Sequence, residues 1–212
     1  ALSDPQLREG LIAQSRDALF ALLIPSLIGL QFGAPLLLYA WAPPRYRPDS
    51  LLLVVAFVGT SSIAFAAATS QVRVLLANGR TRSVASATIL AAFTNLGLNI
   101  VLVPLMGING SALATLLGFT SQYLLLGRSS RDARLRSTHR GLRIGLAAAV
   151  GLGSAAVWIP VSVPFLVFRA AVATASAAIF AGMMWTLAGH TVPGSLRGVT
   201  MWATSPVGAG SL

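Results

Sequence analysis

The 212-residue chain has no cysteine, no lysine, two histidines and only five acidic residues. Without cysteine there is no disulfide framework, no thiol chemistry and no Cys-built metal site. His139 and His190 alone leave almost nothing from which to assemble a zinc centre or a nucleophile–His–Asp set. The acids, Asp4, Glu9, Asp17, Asp49 and Asp132, fall between apolar runs or at their edges. No carboxylate is therefore expected at mid-membrane depth to carry a proton or hold Na⁺, and no acid pair is available for hydrolysis or glycosyl transfer. The composition predicts a protein that is not an enzyme and uses no cofactor. Charged residues are 9% of the chain, against about 25% in ordinary soluble domains. With 55% hydrophobic residues and a mean hydropathy of +0.77, the chain is neither disordered nor a typical soluble domain. The class that fits is an integral membrane protein.

Six continuous apolar runs are long enough to span, at about 18–40, 51–77, 84–106, 110–127, 144–161 and 165–188, followed by a short tail at 189–212. A segment in hydrocarbon must satisfy its own backbone, so each run predicts a helix, and the absence of alternation disfavours barrel strands. The expected fold is all-α: a polytopic membrane helix bundle of about six transmembrane helices. Short loops predict that sequential helices are antiparallel neighbours. Pro25 and Pro35 lie inside the first run and predict kinks, serving either bundle geometry or a hinge. Met106 to Gly110 predicts a tight turn. The chain begins at Ala1 with the polar stretch ALSDPQLREGLIAQSRD, and the run behind it is too long for a signal-peptide core. This predicts an internal start, within a longer protein.

All fifteen basic residues are arginine, giving a net charge of +10. They sit in short loops, so a membrane explanation comes before nucleic acid, for which no role is expected. With the N-terminus inside, 12 arginines fall on inside segments and three (Arg45, Arg47 and Arg169) outside, which predicts two cytoplasmic termini. Tyr39, Trp41, Trp158 and Trp185 stand near helix ends, where aromatic rings anchor. The segment RSSRDARLRSTHRGLR at 128–143 holds six arginines and one aspartate, a surface for anionic headgroups.

Polar side chains within the runs are the candidate site. Asn95 and Asn99 share a helix face with Thr88, and Ser111, Thr115, Gly118 and Gln122 form a similar stripe on the next helix. Ser62, Thr69 and Arg73 do so on the second, and Gln31 sits mid-run on the first. Two readings stand side by side: hydrogen bonds between packed helices, or a polar cavity lining shared by several helices. Arg73 either snorkels to the cytoplasmic face or projects into a cavity as a bidentate phosphate donor. Arg169, close to the outer interface, is expected to snorkel.

The segments LLANGRT (75–81), NLGLNIVLVP (95–104) and GINGSALAT (107–115) resemble the polysaccharide flippases of the multidrug/oligosaccharidyl-lipid/polysaccharide exporter superfamily. The opening ALSDPQL with IPSLIGLQFGAPLLL is similar to the passage into that family's C-terminal lobe. Residues 128–212 agree only in hydropathy and length. Two departures are Trp41-Ala42-Pro43-Pro44-Arg45-Tyr46, which lacks the family's glycine, and Ser111 in place of alanine. The resemblance implies a C-terminal lobe facing a partner across a central cavity in the bacterial cytoplasmic membrane. It implies transport of an undecaprenyl-pyrophosphate-linked oligosaccharide for polysaccharide biosynthesis; the polar groups within the runs that are expected to line its cavity or pack the helices are Arg73, Gln31, Asn95, Asn99 and Gln122. The partners implied are that substrate, membrane lipids, and a missing N-terminal lobe or a second copy. The alternatives are a drug/cation antiporter of the same superfamily, and a non-transporting membrane scaffold or inert truncated product.

Overall fold

A computed structural model describes residues 5–41, 43, 48–129 and 140–190. The expectations on Arg45 and Arg47, on Arg131, Asp132, Arg134, Arg136 and His139, and on the 191–212 part of the tail lie outside the described residues. Among those described, the chain forms six α-helices and no strand: α1 (Pro5–Trp41), α2 (Pro48–Ala77), α3 (Thr81–Met106), α4 (Ile108–Ser129), α5 (Arg140–Val157) and α6 (Val163–His190). Among the described residues, four segments are long and apolar enough to cross a membrane: Gly10–Trp41, Ser50–Ala77, Thr81–Met106 and Pro164–Leu187. This fits a helical membrane bundle. α4 and α5 differ from the six-span expectation for separate reasons. The amides, hydroxyls and glycines of α4 lower its hydropathy, and it is the helix enclosed by α2 and α3. α5 has 18 residues, roughly 27 Å, slightly less than the hydrocarbon thickness of about 30 Å.

The helices alternate in direction, but not every sequential pair packs. α1 lies antiparallel to α2 and α3 to α4, as expected from their short links. α2 and α3 barely touch, although only residues 78–80 join them, because α4 lies between them and packs on both. α6 packs on α1 rather than along α5, and α5 leans on α1 and α2. The order across the bundle is α6, α1, α2, α4, α3, with α5 covering α1 and α2.

Small residues permit these approaches. Gly29 and Gly33 of α1 meet Ser176 and Ala173 of α6: a Cβ on Gly29 would lie 3.1 Å from the Ser176 Cβ, and one on Gly33 3.4 Å from the Ala173 Cβ. Phe32 meets Phe168 edge-on beside this seam, with ring centroids 6.0 Å apart. On the other side, Phe65 of α2 and Phe119 of α4 are tilted rings 5.1 Å apart. Two apolar clusters form the core: Ala68, Leu75, Ala87 and Leu126 join α2, α3 and α4, while Phe20, Ala66 and Leu146 join α1, α2 and α5.

Of the three fully described links between helices, those at 78–80 and 107 have a glycine with positive φ. At Gly79 (φ 69°) the amide of Arg80 donates to Leu75 O (2.8 Å) and that of Gly79 to Leu76 O (3.0 Å), the paired bonds of a Schellman cap. Gly107 (φ 57°) ends α3, and α4 starts at the next residue, in the tight turn expected there. α1 runs as one helix through Pro25 and Pro35. Trp41, Trp158 and Trp185 are each more than 80% exposed. Trp41 and Trp158 mark the end of the bundle opposite Arg73, Arg80, Arg128 and Arg143, and Trp185 marks the Arg-rich end.

Candidate functional site

The α3 and α4 stripes face one another because the two helices are antiparallel. Gly118 brings α4 against Asn95: a Cβ at 118 would lie 3.0 Å from the Asn95 Cβ. One turn along, Gln122 Nε2 donates to Thr88 Oγ1 at 3.2 Å. Asn99 Nδ2 donates to both the Asn95 carbonyl (2.9 Å) and Asn95 Oδ1 (3.1 Å), which orients the Asn95 amide. Thr115 returns its hydroxyl to Ser111 O at 3.0 Å, within its own helix. The result is a groove of about 350 Å³ with Thr88, Asn95, Thr115 and Gln122 on its polar side and Phe119 with two alanines on its apolar side. Thr88 is exposed, and Asn95 and Gln122 are half-buried, so the groove opens at the bundle surface. Its polar groups are all uncharged donors and acceptors. Such a lining hydrogen-bonds neutral hydroxyls and amides, and does not by itself neutralise a phosphate.

Asn95 and Gln122 therefore share one groove, with Asn99 supporting Asn95 from the next turn. The structure does not bring Gln31 and Arg73 to it. Gln31 is buried between α1, α2 and α5, its amide wedged where Gly59 and Gly153 leave space. A Cβ on Gly153 would lie 2.6 Å from Gln31 Nε2. That Nε2 is buried without a protein hydrogen-bond partner, an arrangement that costs about 1–3 kcal/mol in an ordinary core. Arg73 is exposed at the Arg-rich end, where its Nη1 donates to Ser15 Oγ of α1 at 3.1 Å. It fastens the ends of α1 and α2 and is not among the residues lining this groove.

Arg169 departs most from expectation. Instead of snorkelling it is 0% exposed, and its Nη2 donates to the carbonyls of Ala156 and of Ile159, the latter at 2.9 Å. The Ala156 carbonyl lies in the last turn of α5 and that of Ile159 two residues beyond Val157, where the helix dipole is negative, so the guanidinium of α6 closes α5. The physical reason is local. α5 stops at Val157, short of Pro160, and leaves acceptors within reach of a side chain one helix away. Arg80 does the same for α4, donating from Nη1 to Ser129 O at 2.6 Å. Neither capping role was legible in the sequence, because each joins residues far apart along it. The nearest available signal was proline after α5 and glycine before Arg80.

The chain matches no family model, no curated protein and no solved structure. The chemistry of the groove is therefore what bears on function.

Proposed function

We propose that this chain is one lobe of a membrane transporter that moves a lipid-linked oligosaccharide across the bacterial cytoplasmic membrane for polysaccharide biosynthesis. The observation that carries the reading is the uncharged α3–α4 groove, an amide- and hydroxyl-lined surface in a bundle of membrane-length helices. Polar side chains at that depth are costly unless they serve packing or a pathway, and these suit sugar hydroxyls better than ions. The likeness of residues 72–127 to the polysaccharide flippases supports the same reading. On it, the Arg-rich end faces the cytoplasm, and a second lobe or second copy covers the groove to enclose a cavity. The pyrophosphate meets arginines at the cytoplasmic side, Arg73 among them, while the prenyl tail stays in lipid.

The test uses the gene product purified from its host membrane and reconstituted in vesicles containing a fluorescent undecaprenyl-pyrophosphate oligosaccharide. The expected result is movement to the far leaflet, lowered by Asn95→Leu and by Gln122→Leu without loss of helix content. No movement above protein-free vesicles refutes the proposal. A non-transporting scaffold is favoured by one observation, that Gln122 and Asn99 already have partners within the α3–α4 pair. On that reading both substitutions lower stability and leave no transport to lose.

A further inference from the structure

We propose that the groove between α4 and α5 holds one acyl chain of an anionic phospholipid, with Arg143 on its phosphodiester. α4 and α5 both lean on α2 without packing along each other. Between them lies a groove of about 370 Å³ walled chiefly by Phe20, Ile63, Leu116, Leu146 and Val150. Among the described residues Arg143 is the one charged residue lining it, and Tyr123 adds a hydroxyl from α4. Because the helices alternate in direction, Phe20, Ala67, Tyr123 and Arg143 lie toward the Arg-rich end, and Thr60, Leu116 and Val150 toward mid-height. The separation of Arg143 and Val150 along α5 is roughly 10 Å. The groove thus has the polarity of a lipid at an interface: an exposed cation at one end and apolar walls running inward.

Charge selects the occupant. One guanidinium forms a bidentate pair with a singly charged phosphodiester, whereas a diphosphate calls for more than one cation. The acid closest along α1, Asp17, stands one turn from Phe20 and is paired with Arg16 (Nη2 to Oδ1, 3.0 Å). Arg143 is also the last of six arginines in 128–143, a composition that attracts anionic headgroups. This inference goes beyond the transport reading and stands without it, since it needs only that the bundle lies in a bilayer.

The experiment is native mass spectrometry of the detergent-purified chain with phosphatidylglycerol or phosphatidylcholine of identical acyl chains. Phosphatidylglycerol is expected to bind one per chain, and roughly tenfold more tightly than phosphatidylcholine. Arg143→Gln abolishes that preference and Arg143→Lys retains part of it. Arg82→Gln, an exposed arginine outside the groove, leaves it unchanged. Ala64→Phe, which fills the groove, weakens both lipids, and circular dichroism verifies the fold of each variant. Equal binding of the two lipids, no effect of Arg143→Gln, or an equal effect of Arg82→Gln overturns the proposal. Displacement of phosphatidylglycerol by undecaprenyl pyrophosphate at equimolar concentration also overturns it, since the groove then serves a diphosphate.

Discussion

Three glycine-to-alanine substitutions separate the contacts that build the α3–α4 pair from the intrinsic preference of a helix for alanine. In a helix interior, alanine is favoured over glycine by about 1 kcal/mol. At Gly97, a Cβ would meet nothing within 4 Å, so Gly97→Ala is expected to stabilise by about that 1 kcal/mol. At Gly118, the new Cβ would lie 3.0 Å from the Asn95 Cβ. The helices must part by a few tenths of an ångström, and the overpacking cost of about 1 kcal/mol offsets the gain, for a net near zero. At Gly110, the Cβ would overlap the Leu102 carbonyl and lie 2.5 Å from its carbon and 3.1 Å from the Val103 nitrogen. That obstacle is backbone and cannot rotate away. Gly110 is also in the first turn of α4, where the propensity gain is reduced, so the expected loss is about 2 kcal/mol or more. The assay is denaturant unfolding in detergent micelles followed by circular dichroism. The predicted order of stability is Gly97→Ala, wild type with Gly118→Ala, then Gly110→Ala. A Gly110→Ala protein as stable as Gly97→Ala would refute the α3–α4 crossing described here, and with it the groove.

The same structure predicts smaller local effects. Gly79→Ala places a side chain at φ 69° and should cost about 1–2 kcal/mol, read in the same unfolding assay. Arg169→Met removes the donor to the Ala156 and Ile159 carbonyls and should speed amide exchange at the C-terminal end of α5 while leaving α2 and α4 unchanged; uniform exchange would reject the capping role. Arg80→Ala should fray the last turn of α4, detected as faster exchange there and a loss of about 0.3–1 kcal/mol. Arg73→Ala, which releases Ser15 of α1, should lower transport by the gene product more than Arg134→Ala; equal losses would remove any special part for Arg73.

What could be read in the sequence was whatever repeats locally. The stripes on α3 and α4 follow from residues three, four or seven apart, and such spacing survives any packing arrangement. Continuous apolar runs gave the helices for the same reason, and Gly107 between two runs gave its turn. What could not be read was which stripe meets which helix. Gln31, Asn95 and Gln122 look alike as mid-run amides, yet Gln31 lies under Gly153 on the far side of α2 from the other two. The neighbours of α4 depend on Gly118 on one face and Phe119 beside it, a choice no single helix displays. One long-range signal was present: Gly29 and Gly33 have the spacing that lets membrane helices approach closely, and they do receive α6. The spacing alone does not say that the partner is α6 rather than α2 or α5.

The arginines show why side-chain type ranks below reach in this bundle. Positive-inside counting treats Arg73, Arg80, Arg143 and Arg169 as interchangeable charges on one side or the other. In the fold, Arg80 and Arg169 close the carbonyl ends of neighbouring helices, Arg73 joins two helix ends through a hydroxyl, and Arg143 stands at an apolar groove. Each role is fixed by what lies within a guanidinium's length. Where the last carbonyls of a helix lie within a guanidinium's reach, as those of α5 do, the negative end of the helix dipole draws the cation in and burial follows. Where the neighbouring helices part, as α4 and α5 do over α2, the cation stays at the surface beside apolar walls. A substitution that lengthened α5 beyond Val157 would therefore remove the acceptors that hold Arg169, and the same arginine would have to turn outward toward the interface.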